Sequence, residues 1–137
     1  MFRIGSLDEL AVHLRQHQTL SLAHIEDVTL SGTLPSDVTG ASFLRCRFAE
    51  GAVMPSEAGE TLFVDCRMVG MKFQNAHLFG ARFVGCDLSH ARFVGCDMAA
   101  TEFVDCTMDG MVTEQCDLDA SSLPDHRETD EAFTAVA

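Results

Sequence analysis

A large apolar residue returns at every fifth position through the middle of this chain. The series runs Phe63, Met68, Phe73, Leu78, Phe83, Leu88, Phe93, Met98, Phe103, Met108, then, after Thr113, Leu118 and Leu123. Two residues before each stands a small or slim one, mostly Ala, Cys or Thr, except before Phe73, where Met71 stands. A period of five suits neither ordinary element. On an α-helix five residues turn through about 500°, which scatters the apolar positions over every face. On a continuous strand an odd period sends successive apolar residues to opposite faces. The pattern closes only if the chain bends every five residues, so that each large residue points to one axis. That describes a solenoid whose turns bury their inner sides against one another.

A second period of twenty runs through the same stretch. Phe43, Phe63, Phe83 and Phe103 fall into one column, and Cys46, Cys66, Cys86 and Cys106 into another. Cys96 and Cys116 are likewise twenty apart, and Met71, Ala91 and Met111 alternate large, small, large at the same spacing. Met111 is bulky where Thr113 is slim, so the two departures partly cancel in volume, as a close-packed core requires.

The motifs Ala76-His77-Leu78, Ala81-Arg82-Phe83, Cys86-Asp87-Leu88, Ala91-Arg92-Phe93, Cys96-Asp97-Met98 and Cys116-Asp117-Leu118 resemble the repeat of the pentapeptide-repeat family, roughly A-(D/N)-L-x-x. The resemblance implies an all-β solenoid, a right-handed four-sided β-helix with one pentapeptide per side. It also implies a bacterial source. From Ile25 to Leu123 there is room for about five coils, a rod roughly 24 Å long at strand spacing.

The chain divides into three parts. Residues 1–19 read as an N-terminal cap: a short strand at Phe2-Arg3-Ile4, then a helix from about Leu7 to Gln18. Ser6 and Glu9 form its capping box, and Leu7, Leu10, Ala11 and Leu14 form its apolar stripe. The helix is expected to close the open end of the solenoid. Residues 20–123 carry the repeat, with a register shift near 31–37 and an irregular corner near 54–60. Val53 and Ala58 are read as keeping the register there. Residues 124–137 form an acidic tail, either disordered or a capping or docking segment.

All six cysteines occupy one inward repeat position, which makes them apolar fillers with reduced thiols. No C-x-x-C is present to suggest zinc, and His13 and His17, one helical turn apart, read as two solvated histidines. No catalytic, metal or cofactor constellation is found, so neither an enzyme nor a cofactor is expected. No apolar run approaches a membrane span, and the N-terminus lacks the features of a secretion signal, which makes cytoplasmic the default. The net charge of −12 repels phosphates, so direct nucleic-acid binding is disfavoured.

Function must therefore lie on the outward positions. Between Phe93 and His126 there is no Lys or Arg, and Asp97, Glu102, Asp105, Asp109, Glu114, Asp117 and Asp119 make that end acidic. Leu44, Val64, Val84 and Val104 follow the Phe column and form an outward apolar ridge, explained either by β-propensity or by an interface. The leading reading is a non-catalytic scaffold for a protein partner, with a homodimer as one use of the ridge. The alternative comes from the family resemblance. Some acidic members mimic DNA, bind DNA gyrase, and inhibit or protect it.

Overall fold

In the computed structural model, residues 2–54, 57–122 and 132–133 are described. The elements in chain order are β1 (Phe2–Ile4), α1 (Leu7–His17), β2 (Ala23–Glu26), β3 (Thr29–Leu30), β4 (Ser42–Leu44), β5 (Arg47–Phe48), β6 (Val53–Met54), β7 (Leu62–Val64), β8 (Lys72–Gln74), β9 (Arg82–Val84), β10 (Arg92–Val94), β11 (Glu102–Val104), β12 (Met111–Glu114) and β13 (Ala132–Phe133). They wind into a four-sided parallel β-solenoid. The first side is a six-stranded sheet, β1-β2-β4-β7-β9-β11. The third side is β13-β12-β10-β8-β6. The second side carries β3 and β5 and then the bridges Arg47↔Arg67, Arg67↔Asp87 and Asp87↔Thr107. The fourth is held by the bridges Asp37↔Glu57, Glu57↔His77, His77↔Asp97 and Asp97↔Asp117.

Five strands of the first side, β2 to β11, match the five coils counted from sequence. β1 adds a sixth rung by pairing parallel to β2, with Ile4 opposite Ile25. That rung belongs to the segment before the helix, so a count of pentapeptides passes over it.

The core follows from the two periods. Phe43, Phe63, Phe83 and Phe103 stack with ring centroids 4.9, 4.8 and 4.7 Å apart and nearly parallel planes. On the opposite side Phe73 and Phe93 stack at 4.3 Å. The two columns meet edge to face across the axis, as between Phe83 and Phe93 at 6.4 Å. Both arrangements are favourable for aromatic quadrupoles. Between sides, the backbone turns through residues of positive φ, among them Asp65, Gly85 and Asp105, all in one column. Gly85 is required there for space as well as for φ. A Cβ would stand 2.5 Å from the Asp65 carboxylate oxygen one coil below.

Two irregularities have definite positions. Leu30 pairs with Phe48, eighteen residues on, whereas Thr33 bridges to Val53, twenty on. The first coil is thus two residues short, and the loss falls between Leu30 and Thr33. Leu34, within the stretch expected to shift the register, is buried. At the next corner the sequence-based register needs correction. Met54, not Val53, pairs with Phe73 and fills the inner slot, and Val53 is half-exposed. One residue is gained before Ala52 and one is lost between Met54 and Glu57, so Glu57↔His77 restores the twenty-residue spacing. The buried Met54 satisfies the rule that a large apolar group fills the slot, at the expense of strict spacing.

The helix differs in its buried stripe. Ser6 caps it, accepting from the Glu9 N–H at 3.1 Å, and the Glu9 carboxylate accepts from the Gly5 N–H at 3.3 Å. Leu10 and His13 are buried and Leu14 is half-buried, while Leu7 and Ala11 are exposed. His13 is therefore not solvated. Its Nε2 donates to the Thr19 carbonyl at 2.9 Å, and its ring lies 4.7 Å from that of His17. Leu10 and Leu14 face Leu20, Leu30 and Leu34 across a cleft of about 190 Å³, which sets the helix over the first coil. At the other end, β13 pairs antiparallel with β12, with Met111 opposite Phe133. Leu123, Pro55 and the remainder of the acidic tail lie outside the described residues.

Candidate interaction surfaces

The pleat that sends each Phe inward sends its neighbours out. On the first side Leu44, Val64, Val84 and Val104 stand in strict register, and Leu62 adjoins them between Ser42 and Arg82. Leu44, Val64 and Val84 are half-exposed, and Val104 is exposed at 38%. The ladder is straight because the underlying Phe column is. Phe79, 54% exposed, stands at the corner between the fourth and first sides.

The acidic residues take a different arrangement. Glu102 lies on the first side, Glu114 on the third, and Asp97 and Asp117 on the fourth. Asp105, Asp109 and Asp119 occupy corners. Together they form a collar around the last coils, on several sides of the rod. Two of them are paired: Glu102 with Arg82 at 3.9 Å, and Glu114 with Arg92. Asp97 and Asp117 stack like on like, and their geometry supplies the reason. Asp97 Oδ1 accepts from the Ala99 N–H at 3.1 Å and Asp117 Oδ1 from the Asp119 N–H at 3.0 Å. Asp37 and Asp87 make the same bond to Thr39 and Ser89. Each aspartate closes a local turn with the backbone two residues on. The turn outweighs the repulsion between exposed charges, which solvent screens.

The cysteines are all free and buried. Each Sγ lies beside a carbonyl one coil below, as Cys66 does to Phe43 at 3.2 Å and Cys116 to Phe93 at 3.2 Å. Cys66 is pushed up to about 12 by its hydrogen bond with Cys46 and by burial. Cys106 is raised by its bond with Cys86 and by burial. At the C-terminal end the bond with Cys96 lowers Cys116 and leaves Cys96 raised. Cys116 is also the most exposed of the six, at 6%.

One surface cluster has no sequence precedent in the twenty-residue period. Arg45 grips Asp27 through two bonds of 2.9 and 3.1 Å and approaches Glu26, which also meets Arg3 at 3.3 Å and His24 at 2.6 Å. The hydrogen bond from His24 holds the Glu26 carboxyl below its ordinary range. Arg45 and Asp27 are eighteen apart because the first coil is short, so a search at twenty misses them.

Among the described residues no three His, Cys, Asp or Glu side chains are grouped to hold a metal. No described helix is long and apolar enough to cross a membrane.

The family model described as a pentapeptide repeat region matches residues 36–111. That span holds most of the five-residue series and more than half of the chain, and the fold around it is a four-sided parallel solenoid. The chain belongs to the pentapeptide-repeat family. Among solved structures it is similar to the pentapeptide repeat protein Rfr23 from the cyanobacterium Cyanothece 51142. The TM-score is 0.55 at 16% identity, covering 88% of this chain and 97% of that one, a likeness of fold. Full-length QnrB1, a plasmid-mediated fluoroquinolone resistance protein, aligns with a TM-score of 0.42 and 21% identity. That alignment covers 97% of this chain and 52% of QnrB1, so the chain spans about half its length. No curated protein sequence matches the chain.

Proposed function

We propose that this protein is a non-catalytic scaffold that engages a protein partner through side-chain ladders, with a second copy of itself as the partner of the first side. The observation that carries this reading is the in-register ladder Leu44-Val64-Val84-Val104, kept partly in water by a core that needs none of it. A continuous apolar column on a rigid rod suits burial against another surface. Family membership supports the non-catalytic part, since pentapeptide-repeat solenoids are generally not enzymes. The test is the mass in solution. Wild type should scatter light as a dimer, and Val84→Asp should scatter as a monomer with its β-sheet circular dichroism intact. A monomeric wild type, or a mutant of unchanged size, would return the ladder to plain strand composition.

The DNA-mimic reading has one observation in its favour. Asp97, Asp105, Asp109, Asp117 and Asp119 have no base within ion-pair reach among the described residues. Their collar arrangement tells against it. A duplex carries its charge along its length, whereas these carboxylates encircle one end. The scaffold is the preferred reading.

A further inference from the structure

The arginines of the coils follow a rule with one exception. Arg45 pairs with Asp27, Arg67 with Asp87, Arg82 with Glu102 and Arg92 with Glu114. Arg47 has no carboxylate within ion-pair distance among the described residues. Its rung neighbours on the second side are Thr29 and Arg67. Two like charges thus stand directly opposite each other, an arrangement that costs stability. They border a groove of about 240 Å³, whose other walls include Thr29, Ala49, Glu50 and Val69. The Glu50 side chain packs over Gly70, at whose position a Cβ would meet its Cγ at 3.0 Å.

We infer that this groove receives the carboxylate of an acidic side chain from a partner segment. The two guanidinium groups are rooted one rung apart, about 4.8 Å, so one carboxylate can take N–H bonds from both. Guanidinium donors bind planar carboxylates with charge-assisted bonds. The Thr29 hydroxyl offers a further donor. Ala49 and Val69 give the methylene stem of an aspartate or glutamate an apolar seat. Glu50 sets the charge class, because a nearby carboxylate opposes a doubly charged phosphate more than a singly charged group. The inference rests on the scaffold reading and adds the chemistry of a partner on a second face.

The probe is fluorescein-labelled hexaglutamate, with hexaglutamine as its neutral control. It is used at about 0.15 M salt, where distant acids of the protein are screened beyond about 8 Å. Hexaglutamate should bind saturably and hexaglutamine should not. Arg47→Gln should weaken binding about tenfold or more, the value of a lost charged hydrogen bond. Lys72→Gln, an exposed base on the third side, should leave it unchanged. Glu50→Gln should tighten binding, a gain that misfolding does not mimic. Absence of saturable binding, equal losses from Arg47→Gln and Lys72→Gln, or weaker binding by Glu50→Gln would overturn the inference. So would inorganic phosphate displacing the label at lower concentration than free hexaglutamate. If the groove fails these tests while Val84→Asp still separates a dimer, the scaffold reading stands without it.

Discussion

Two core residues show how closely side-chain chemistry is matched to its slot. Thr61 and Thr101 occupy the small slot and donate to the carbonyls of Ala58 and Met98 at 2.9 and 2.8 Å. Thr113 occupies the large slot, in register with Phe93, and its buried Oγ1 has no partner among the described residues. An unpaired buried hydroxyl is a cost, and the near-isosteric Thr113→Val removes it with little change in volume. Denaturant unfolding should show the Thr113→Val variant to be more stable than wild type by about 1–2 kcal/mol; a less stable variant would reveal a partner for the hydroxyl. The thiols make the complementary case. A thiol reagent should label native protein slowly, starting at Cys116, and denatured protein fast. Rapid native labelling of Cys66, Cys86 or Cys106 would place the column outside. The pH dependence has a definite sign. Cys66 and Cys86 rise from 9.0 to about 12 on folding, so their contribution is complete below 9.0 and is lost as pH climbs toward 12. Unfolding midpoints measured across that window should fall more steeply than those of a Cys66→Ala, Cys86→Ala double variant.

At the scale of the element, the unit is a five-residue side with a turn at each end, and the aspartate turn is its fastener. Asp117→Asn keeps an acceptor for the Asp119 N–H and removes the charge facing Asp97, so it should be neutral or stabilising by a few tenths of a kcal/mol at low salt. Asp117→Ala loses the turn bond and should cost about 0.5–1.5 kcal/mol. If alanine and asparagine unfold alike, the side chain does not fasten the turn. Such units are legible in sequence wherever the period is intact, because burial alone dictates it. The Phe column, the Cys columns and the pairs Arg67–Asp87 and Arg82–Glu102 all follow from counting by five and twenty, and the capping box of α1 follows from the three-residue spacing of Ser6 and Glu9. Legibility stops where the count slips. The two residues lost before Thr33 hide the Arg45–Asp27 grip, and the residue gained before Ala52 puts Met54 in the place expected for Val53. The burial of His13 is hidden for another reason. Its partner is the Thr19 carbonyl beyond the helix end, and no spacing rule points to a backbone group. The collar is legible as composition but not as shape, since the assignment of acids to sides depends on the wrap.

Across the whole molecule the question is whether charge or apolar surface carries the function, and counting can separate them. Duplex DNA holds about one charge per 1.7 Å, hence about fourteen in the roughly 24 Å of the coils. From Leu20 to Leu123 fifteen acids stand against six bases, leaving nine net negative charges. The deficit is not spread evenly, because Arg45, Arg47, Arg67, Lys72, Arg82 and Arg92 all precede Asp97 in the chain, and the seven acids of the collar follow with no base among them. A mimic built on that collar should inhibit or shield DNA gyrase in supercoiling assays at micromolar concentration, and should do so less as salt rises. Replacing Asp97, Glu102, Asp105 and Asp117 with their amides should weaken inhibition and DNA competition together. Asparagine keeps an acceptor at the Asp97 and Asp117 turns, so such a loss would report charge and not unfolding. The scaffold reading expects the opposite result: gyrase unaffected by wild type at those concentrations, and an amide variant that assembles as wild type does, because the ladder residues are themselves uncharged, Glu102 being the one replaced acid on the first side. Inhibition by wild type that disappears in the amide variant would reverse the preference for the scaffold.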